Sequence, residues 1–200
     1  MNSKVDSAAR ARANEVLRFW FDGPDGRDAG TVRRQWFAKD DAFDASIRER
    51  FALLVDEALA GRCDAWGHDR ATAPALVLVL DQFVRNVHRG TPRMYAGDER
   101  ALEVARRIVA HRWDEQYDAL LRWFCYMPFQ HSESIDDQNE ALRLFGLLRD
   151  DPLAGGSWYW AVRHHEIIAR FGRFPHRNDI LGRKSTPEEI EFLREPNSSF

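Results

Sequence analysis

The stretch from Asp41 to Gly61, DAFDASIRERFALLVDEALAG, decides the fold class. Phe43, Ile47, Phe51, Leu54, Val55 and Ala58 recur at three- and four-residue intervals, the period of one helical face. Gly61 follows as a C-terminal stop, where a residue without Cβ turns left-handed at little cost.

The same period recurs on both sides, and strand alternation does not. A first helix is expected from Asp6 to Phe21, ending in the turn DGPDG at 22–26. Thr72-Ala73-Pro74 reads as an N-cap with proline in the first turn. That helix runs to Arg89 and stops at Gly90-Thr91-Pro92. Leu102, Ala105, Ile108 and Val109 mark another helix, beginning near Asp98. Tyr117, Leu120, Leu121 and Phe124 mark a further one, which Pro128 is expected to disrupt. Leu142, Phe145 and Leu148 precede the loop DDPLAGGS, and Trp158 to Phe171 is helical again. Thr186-Pro187-Glu188-Glu189 is a capping box that opens a short last helix. The pattern predicts an all-α chain, a single domain over 1–195 with a frayed tail at 196–200. Its helical hairpins would stack as an α-α superhelix or bundle. Phe51, Leu54, Leu80, Phe83, Leu121, Phe124 and Leu142 are the expected core. Phe19-Trp20-Phe21 and Trp36-Phe37 read as core anchors rather than a stacking platform.

Composition limits the function classes. With 44% hydrophobic and 30% charged residues the 200-residue chain is globular rather than disordered. A net charge of -3 argues against a generic nucleic-acid coat or a polybasic membrane protein. Cys63 and Cys125, the only cysteines, form no disulfide framework and suit a reducing cytoplasm. The polar beginning MNSKVDSAARARANE lacks the apolar run of a secretory signal. The longest apolar stretch, around Ala73 to Leu80, falls far short of the ~20 residues of a membrane span. A cytoplasmic location without a membrane partner is expected.

Three polar segments could carry chemistry. In LDQFVRNVHRGTPR (80–93), Asp81, Arg85 and Arg89 lie four residues apart, on one face of a regular helix, with Gln82 and Asn86 beside them. Asp81 follows an apolar run, so burial would oblige it to find a partner. In FCYMPFQHSESIDDQNE (124–140), His131 and Glu133 follow the aromatic helix. Glu133, Asp137 and Glu140 would form an acidic stripe if one helix covers all three. Ser134 reads as that helix's N-cap. The segment AVRHHEIIARFGRFPHRNDILGR concentrates Arg163, Arg170, Arg173, Arg177, Arg183, His164, His165 and His176 against only Glu166 and Asp179. It is a local cationic field, in which Arg170, Arg173, His176 and Arg177 could bind an anion or fasten the C-terminal segment to the core. One of the paired histidines is expected to pack inside.

Other chemistries lack their motifs. His131 and Glu133 form H-x-E without the P-C-x-x-C partner of zinc deaminases. His164-His165-Glu166 is not H-E-x-x-H, and no Walker loop, dinucleotide fingerprint or G-x-S-x-G elbow occurs. No metal and no cofactor is expected.

Taken in order, FWF, LDQFVRNVHRGTPR, MPFQHSE and RFGRFPHRNDILGR followed by STPEE resemble an uncharacterised bacterial helical family, domain of unknown function 924, from Val16 to about Leu193. The resemblance implies a tetratricopeptide-like α-α superhelix. That family in turn resembles arginine-containing cyclodipeptide synthases, which implies aminoacyl-tRNA substrates and peptide-bond formation. In that case Arg170 to Lys184 would face acceptor-stem phosphates, and Asp81, Glu133 or Asp137 would hold a substrate guanidinium.

The residues themselves suggest an acyl-transfer pocket. His131 or His165 would be the general base, with Glu133 orienting it or binding a cation. Arg85, Arg89, Arg173 and Arg177 would grip an anion. The substrate would be a small molecule or an aminoacyl-tRNA. The rival is a non-catalytic tetratricopeptide-like module that binds a peptide or protein.

Overall fold

In the computed structural model, which describes residues 5–23 and 26–199, the described residues form helices and connecting turns and no strands. Pro24 and Asp25, the centre of the expected DGPDG turn, lie outside the described residues, as do Met1–Lys4 and Phe200. Helix α1 spans Ser7–Phe21, and the Asp6 carboxylate accepts from the Ala9 amide at 2.7 Å. Helix α2 spans Asp41–Leu59. The Asp40 side chain caps it by accepting from the Ala42 and Phe43 amides, and Gly61 leaves it at φ +84°.

The third helix, α3, is the continuous stretch 73–87. It begins as an ordinary α-helix at Ala73–Val77, widens to a π-helix over Leu78–Phe83 and closes as Val84–Val87. Helix α4 is Asp98–Ala110, α5 Ala119–His131, α6 Ile135–Gly146 and α7 Ser157–Phe171. Gly172, in the left-handed conformation, ends α7. The last helix, α8, is Pro187–Phe192, and its capping box is complete: Thr186 and Glu189 each accept from the other's amide.

Trp20 stands at the centre of the core. Its ring lies 5.7 Å from Phe43, 5.5 Å from Phe83 and 5.4 Å from Phe124, which joins α1, α2, α3 and α5. The expected core residues Phe51, Leu54, Leu80, Phe83 and Phe124 are buried. Leu121 and Leu142 are corrected to the core margin, being only partly buried. Phe37 also differs from the core-anchor reading. It is half exposed and stacks on Trp123 at 5.0 Å.

Pro128 does not disrupt α5, which continues to His131. A proline inside a helix costs about 3 kcal/mol. Burying a large apolar side chain returns roughly 1.5–3 kcal/mol, and α5 buries Trp123, Phe124, Tyr126, Met127 and Phe129. Packing therefore outweighs propensity, and the helix carries His131 to its last turn. The Gln138 amide donates to the carbonyls of Gln130 (2.8 Å) and Ser132 (2.7 Å), satisfying acceptors that a helix end leaves orphaned.

The C-terminal segment has an apolar cluster of its own, formed by Ile167, Ile168, Phe174 and Phe192 with Phe171 against it. The tail expected to fray from Pro196 bends back at Ser198, which is buried and donates to the Leu193 carbonyl.

Gly97, just before α4, lies directly against the Leu80 backbone in the π segment, and a Cβ there would overlap the Leu80 carbonyl. Gly97→Ala is expected to lower stability by about 1–3 kcal/mol through this overlap. Denaturant unfolding of the two proteins measures it, and equal stability would mean that α4 stands off from the π segment.

Candidate functional site

The site begins with the π segment. Its i→i+5 bonding, seen as the Val84 amide donating to the Val79 carbonyl, breaks the regular succession of faces. Asp81 is thereby turned fully into the interior. Its Oδ1 meets His131 Nδ1 at 2.7 Å, and its Oδ2 accepts from the Gln82 amide at 2.6 Å. The Arg85 guanidinium lies 3.4 Å from the same carboxylate. Burial pushes the Asp81 carboxyl up, but the charges of His131 and Arg85 and the hydrogen bonds from His131 and Gln82 outweigh it. The group is held well below the usual carboxylate range. An ionised carboxylate only accepts, so Nδ1 of His131 carries the proton in this bond. In the neutral ring Nε2 is then the unprotonated nitrogen.

The expected common face of Asp81, Arg85 and Arg89 is not kept. Arg85 turns to Asp98 at the start of α4, 2.8 Å away. Arg89 and Asn86 both bind Asp44 of α2, with Arg89 Nε at 2.5 Å and Asn86 at 2.7 Å. Arg89 therefore fastens α3 to α2, away from His131.

The C-terminal segment closes over this arrangement. Arg177, buried, reaches Asp98 at 3.3 Å and donates to the main-chain carbonyl of His131 at 3.0 Å. Its guanidinium lies over the rings of Tyr95 and Phe174, 4.7 and 4.6 Å from their centres. Burial and the like charge of Arg85 pull its pKa down. Glu133, expected to orient the histidine, is taken instead by Arg183 (2.7 and 3.0 Å) and the Phe174 amide (2.8 Å). Asp81 is the carboxylate on His131. The acidic stripe does not form, because α6 begins at Ile135, beyond Glu133. Asp137 binds Arg106 (2.5 Å) and the Ser132 hydroxyl (2.7 Å), and Glu140 binds Arg143. Ser134 is the N-cap of α6 by position, without a side-chain cap bond.

The three histidines of the cationic segment separate. His164, not His165, faces the site: it is buried, its ring centre is 6.2 Å from that of His131, and its Nδ1 bonds the Trp160 carbonyl at 2.7 Å. His165 is partly exposed and meets Asn139 at 3.0 Å. His176 lies against Phe174, with ring centres 5.6 Å apart. Burial, then the charge of His131, pushes the His164 pKa well down. Burial and the neighbouring Arg177 push that of His176 down to about 3.

Arg170 and Arg173 face α8, not the dyad. Arg170 pairs with Glu188 in solvent (3.0 Å), where such a pair contributes about 0–1 kcal/mol. Arg173 clamps the buried carboxylate of Glu189 with two bonds of 2.6 and 2.7 Å. Glu166, one turn before Arg170, binds Arg163 at 2.8 Å. Thus LDQF, HSE and FPHRN meet around His131, whereas Arg89, His165, Arg170 and Arg173 serve other junctions.

Sequence reasoning missed Tyr95 and Asp98. Neither belongs to a motif, and their partners lie far along the chain. His164 had a signal: Ala161, His164 and Ile168 fall at i, i+3 and i+7, the buried face of α7. Among the described residues no three His, Cys, Asp or Glu side chains converge as metal ligands. A recess of about 370 Å³ opens elsewhere, between α1 and α2, lined by Asn14, Glu15, Arg18, Phe19 and Arg50 among others. It holds none of the groups around His131.

Among the described residues the chain is thus an all-helical protein, α1 to α8, with a buried Asp–His pair between α3 and α5. Residues 16–197 match the family described as bacterial protein of unknown function (DUF924), and the chain belongs to that family. A solved structure titled as a protein of unknown function from Agrobacterium tumefaciens is similar. It has 39% identity and a TM-score of 0.82, covering 96% of this chain and 100% of that one. No curated protein matches.

The depressed pKa values of buried His164 and half-buried His176 carry a pH dependence. A histidine whose folded pKa is depressed leaves the unfolded chain binding more protons below about pH 6.5. Stability is therefore complete above that pH and falls as pH drops toward about 3, the value for His176. The slope should approach about 1.4 kcal/mol per pH unit for each such histidine. Urea unfolding from pH 7 to 4 checks this, and His176→Gln should flatten the slope by one proton. An unchanged slope would show that His176 takes up its proton in the folded state.

Proposed function

We propose that this protein is a cytoplasmic enzyme in which His131 acts as general base for acyl transfer, oriented by Asp81. The observation that supports the reading most is the 2.7 Å contact between His131 Nδ1 and a fully buried carboxylate. A carboxylate on Nδ1 fixes the tautomer and stabilises the imidazolium that forms when Nε2 takes a proton. The π segment adds support, because such bulges concentrate at functional sites. Cys63 and Cys125, both free and buried, suit the cytoplasm. Among the described residues no helix is long and apolar enough to cross a membrane.

The proton on the attacking water, hydroxyl or amine passes to His131 Nε2 as that nucleophile adds to the acyl carbon. The imidazolium then returns it to the leaving group.

A small-molecule acyl donor fits better than an aminoacyl-tRNA. An acceptor stem needs unpaired basic groups in a row. In the segment expected to face it, Arg170, Arg173 and Arg183 are each held by a carboxylate of their own: Glu188, Glu189 and Glu133.

The test is turnover of a panel of activated esters and amides, with water and hydroxylamine as acceptors. His131→Gln and Asp81→Asn should each lower kcat/KM by about 100- to 10,000-fold while the circular dichroism of the folded state is kept. Retained turnover in His131→Gln, or no turnover of any acyl donor by the native protein, would refute the proposal.

A further inference from the structure

Beside the Asp81–His131 pair, two nearly buried guanidinium groups share one carboxylate. Arg85 holds Asp98 through both terminal nitrogens, at 2.8 and 3.0 Å. Arg177 reaches the same Asp98 at 3.3 Å. The Arg85 side chain is 15% exposed and that of Arg177 9%. Asp81, the other carboxylate in reach of Arg85, already serves His131 and Gln82. Buried cations are tolerated when each has a well-made counter-ion. Here Arg177 has the longer share of a divided one.

Arg177 is nonetheless held rigidly. It lies over two aromatic rings, its Nη2 is tied to the His131 carbonyl, and its buried Nε has no protein acceptor among the described residues. Tyr95 bridges the pair, with Arg85 5.7 Å and Arg177 4.7 Å from its ring centre. A planar, pre-oriented guanidinium with an unused buried N–H suits an oxyanion. Arg→Lys exchange at such a position removes the fork while keeping the charge.

We infer that Arg85 and Arg177, with Tyr95 between them, seat an anionic group of the ligand, a carboxylate or a phosphate monoester. This extends the reading of His131 as the reacting centre. The Arg177 bond to the His131 carbonyl puts the seat next to that residue. The ligand is therefore a compact acid with its reactive carbonyl only a short way from its charge. Tyr95 and Asp98 are positioning residues: Asp98 aims both guanidinium groups, and Tyr95 keeps their planes fixed.

Binding can be read without turnover. The Arg177 Nε–H signal of ¹⁵N-labelled protein is followed by NMR while inorganic phosphate, or separately acetate, is titrated in. A saturable shift with either anion is expected, and the tighter of the two names the ligand group. In Arg85→Lys the apparent Kd should rise about tenfold or more. If that variant does not fold, Tyr95→Leu serves in its place, with the same loss expected. The titration reads binding and no turnover, so loss of the general-base reading would leave this result standing. A shift that never saturates with either anion would overturn the inference. So would equal affinity in the native protein and a folded Arg85→Lys or Tyr95→Leu variant.

Discussion

A carboxylate removed from water must be matched by opposite charge and hydrogen bonds, or it costs several kcal/mol. Asp81 is such a group: it is ionised, fully buried and preceded in its helix by the apolar run Ala73–Leu80. Most of the polar architecture around it follows from satisfying that one charge. His131 arrives from α5 and Gln82 from the next residue of the π segment. Arg85 adds charge, and through Asp98 it draws in the start of α4. Breaking a pair of this kind typically costs about 3–5 kcal/mol, because the surviving charge stays buried. The site is therefore part of what holds α3, α4 and α5 in register.

The C-terminal segment is attached differently. Its own apolar cluster is separate from the main core, and its links to the site are ionic or polar: Arg177 to Asp98, Arg183 to Glu133, and the Phe174 amide to Glu133. Exposed members of such a set are worth little singly, whereas Arg177 and Glu189 are buried and must be matched. The cationic run that stands out in the sequence is largely consumed in this fastening. Charge density along the chain indicates that partners are needed, not whether they are ligands or the protein's own acids.

Helix identity was legible because it depends on local period and capping. The Asp41–Gly61 stripe and the Thr186–Glu189 box are examples, and both occur as the residues dictate. Pro128 was misleading because its penalty is local while the burial that overrides it is tertiary. Leu121 and Leu142 have helical spacing but lie at the edges of their buried faces, which periodicity alone does not locate. The need of Asp81 for a partner was legible from its place after an apolar run. The choice of His131 over Glu133 was not, since it depends on the helix continuing past the proline. His165 and His164 differ by one residue, and the face that selects His164 shows only when Ala161, Ile167 and Ile168 are known to point inward. Asp98 and Tyr95 gave no local signal, because their partners come from segments remote in the chain.

The central claim is that Asp81 holds the Nδ1 proton of His131 and leaves Nε2 free to accept another. The most direct measurement is long-range ¹H–¹⁵N correlation NMR of the imidazole rings in ¹⁵N-histidine-labelled protein. The account predicts that His131 is the Nδ1–H tautomer and that Asp81→Asn shifts its tautomer balance. An Nε2–H tautomer in the native protein, or one unaffected by Asp81→Asn, would contradict it.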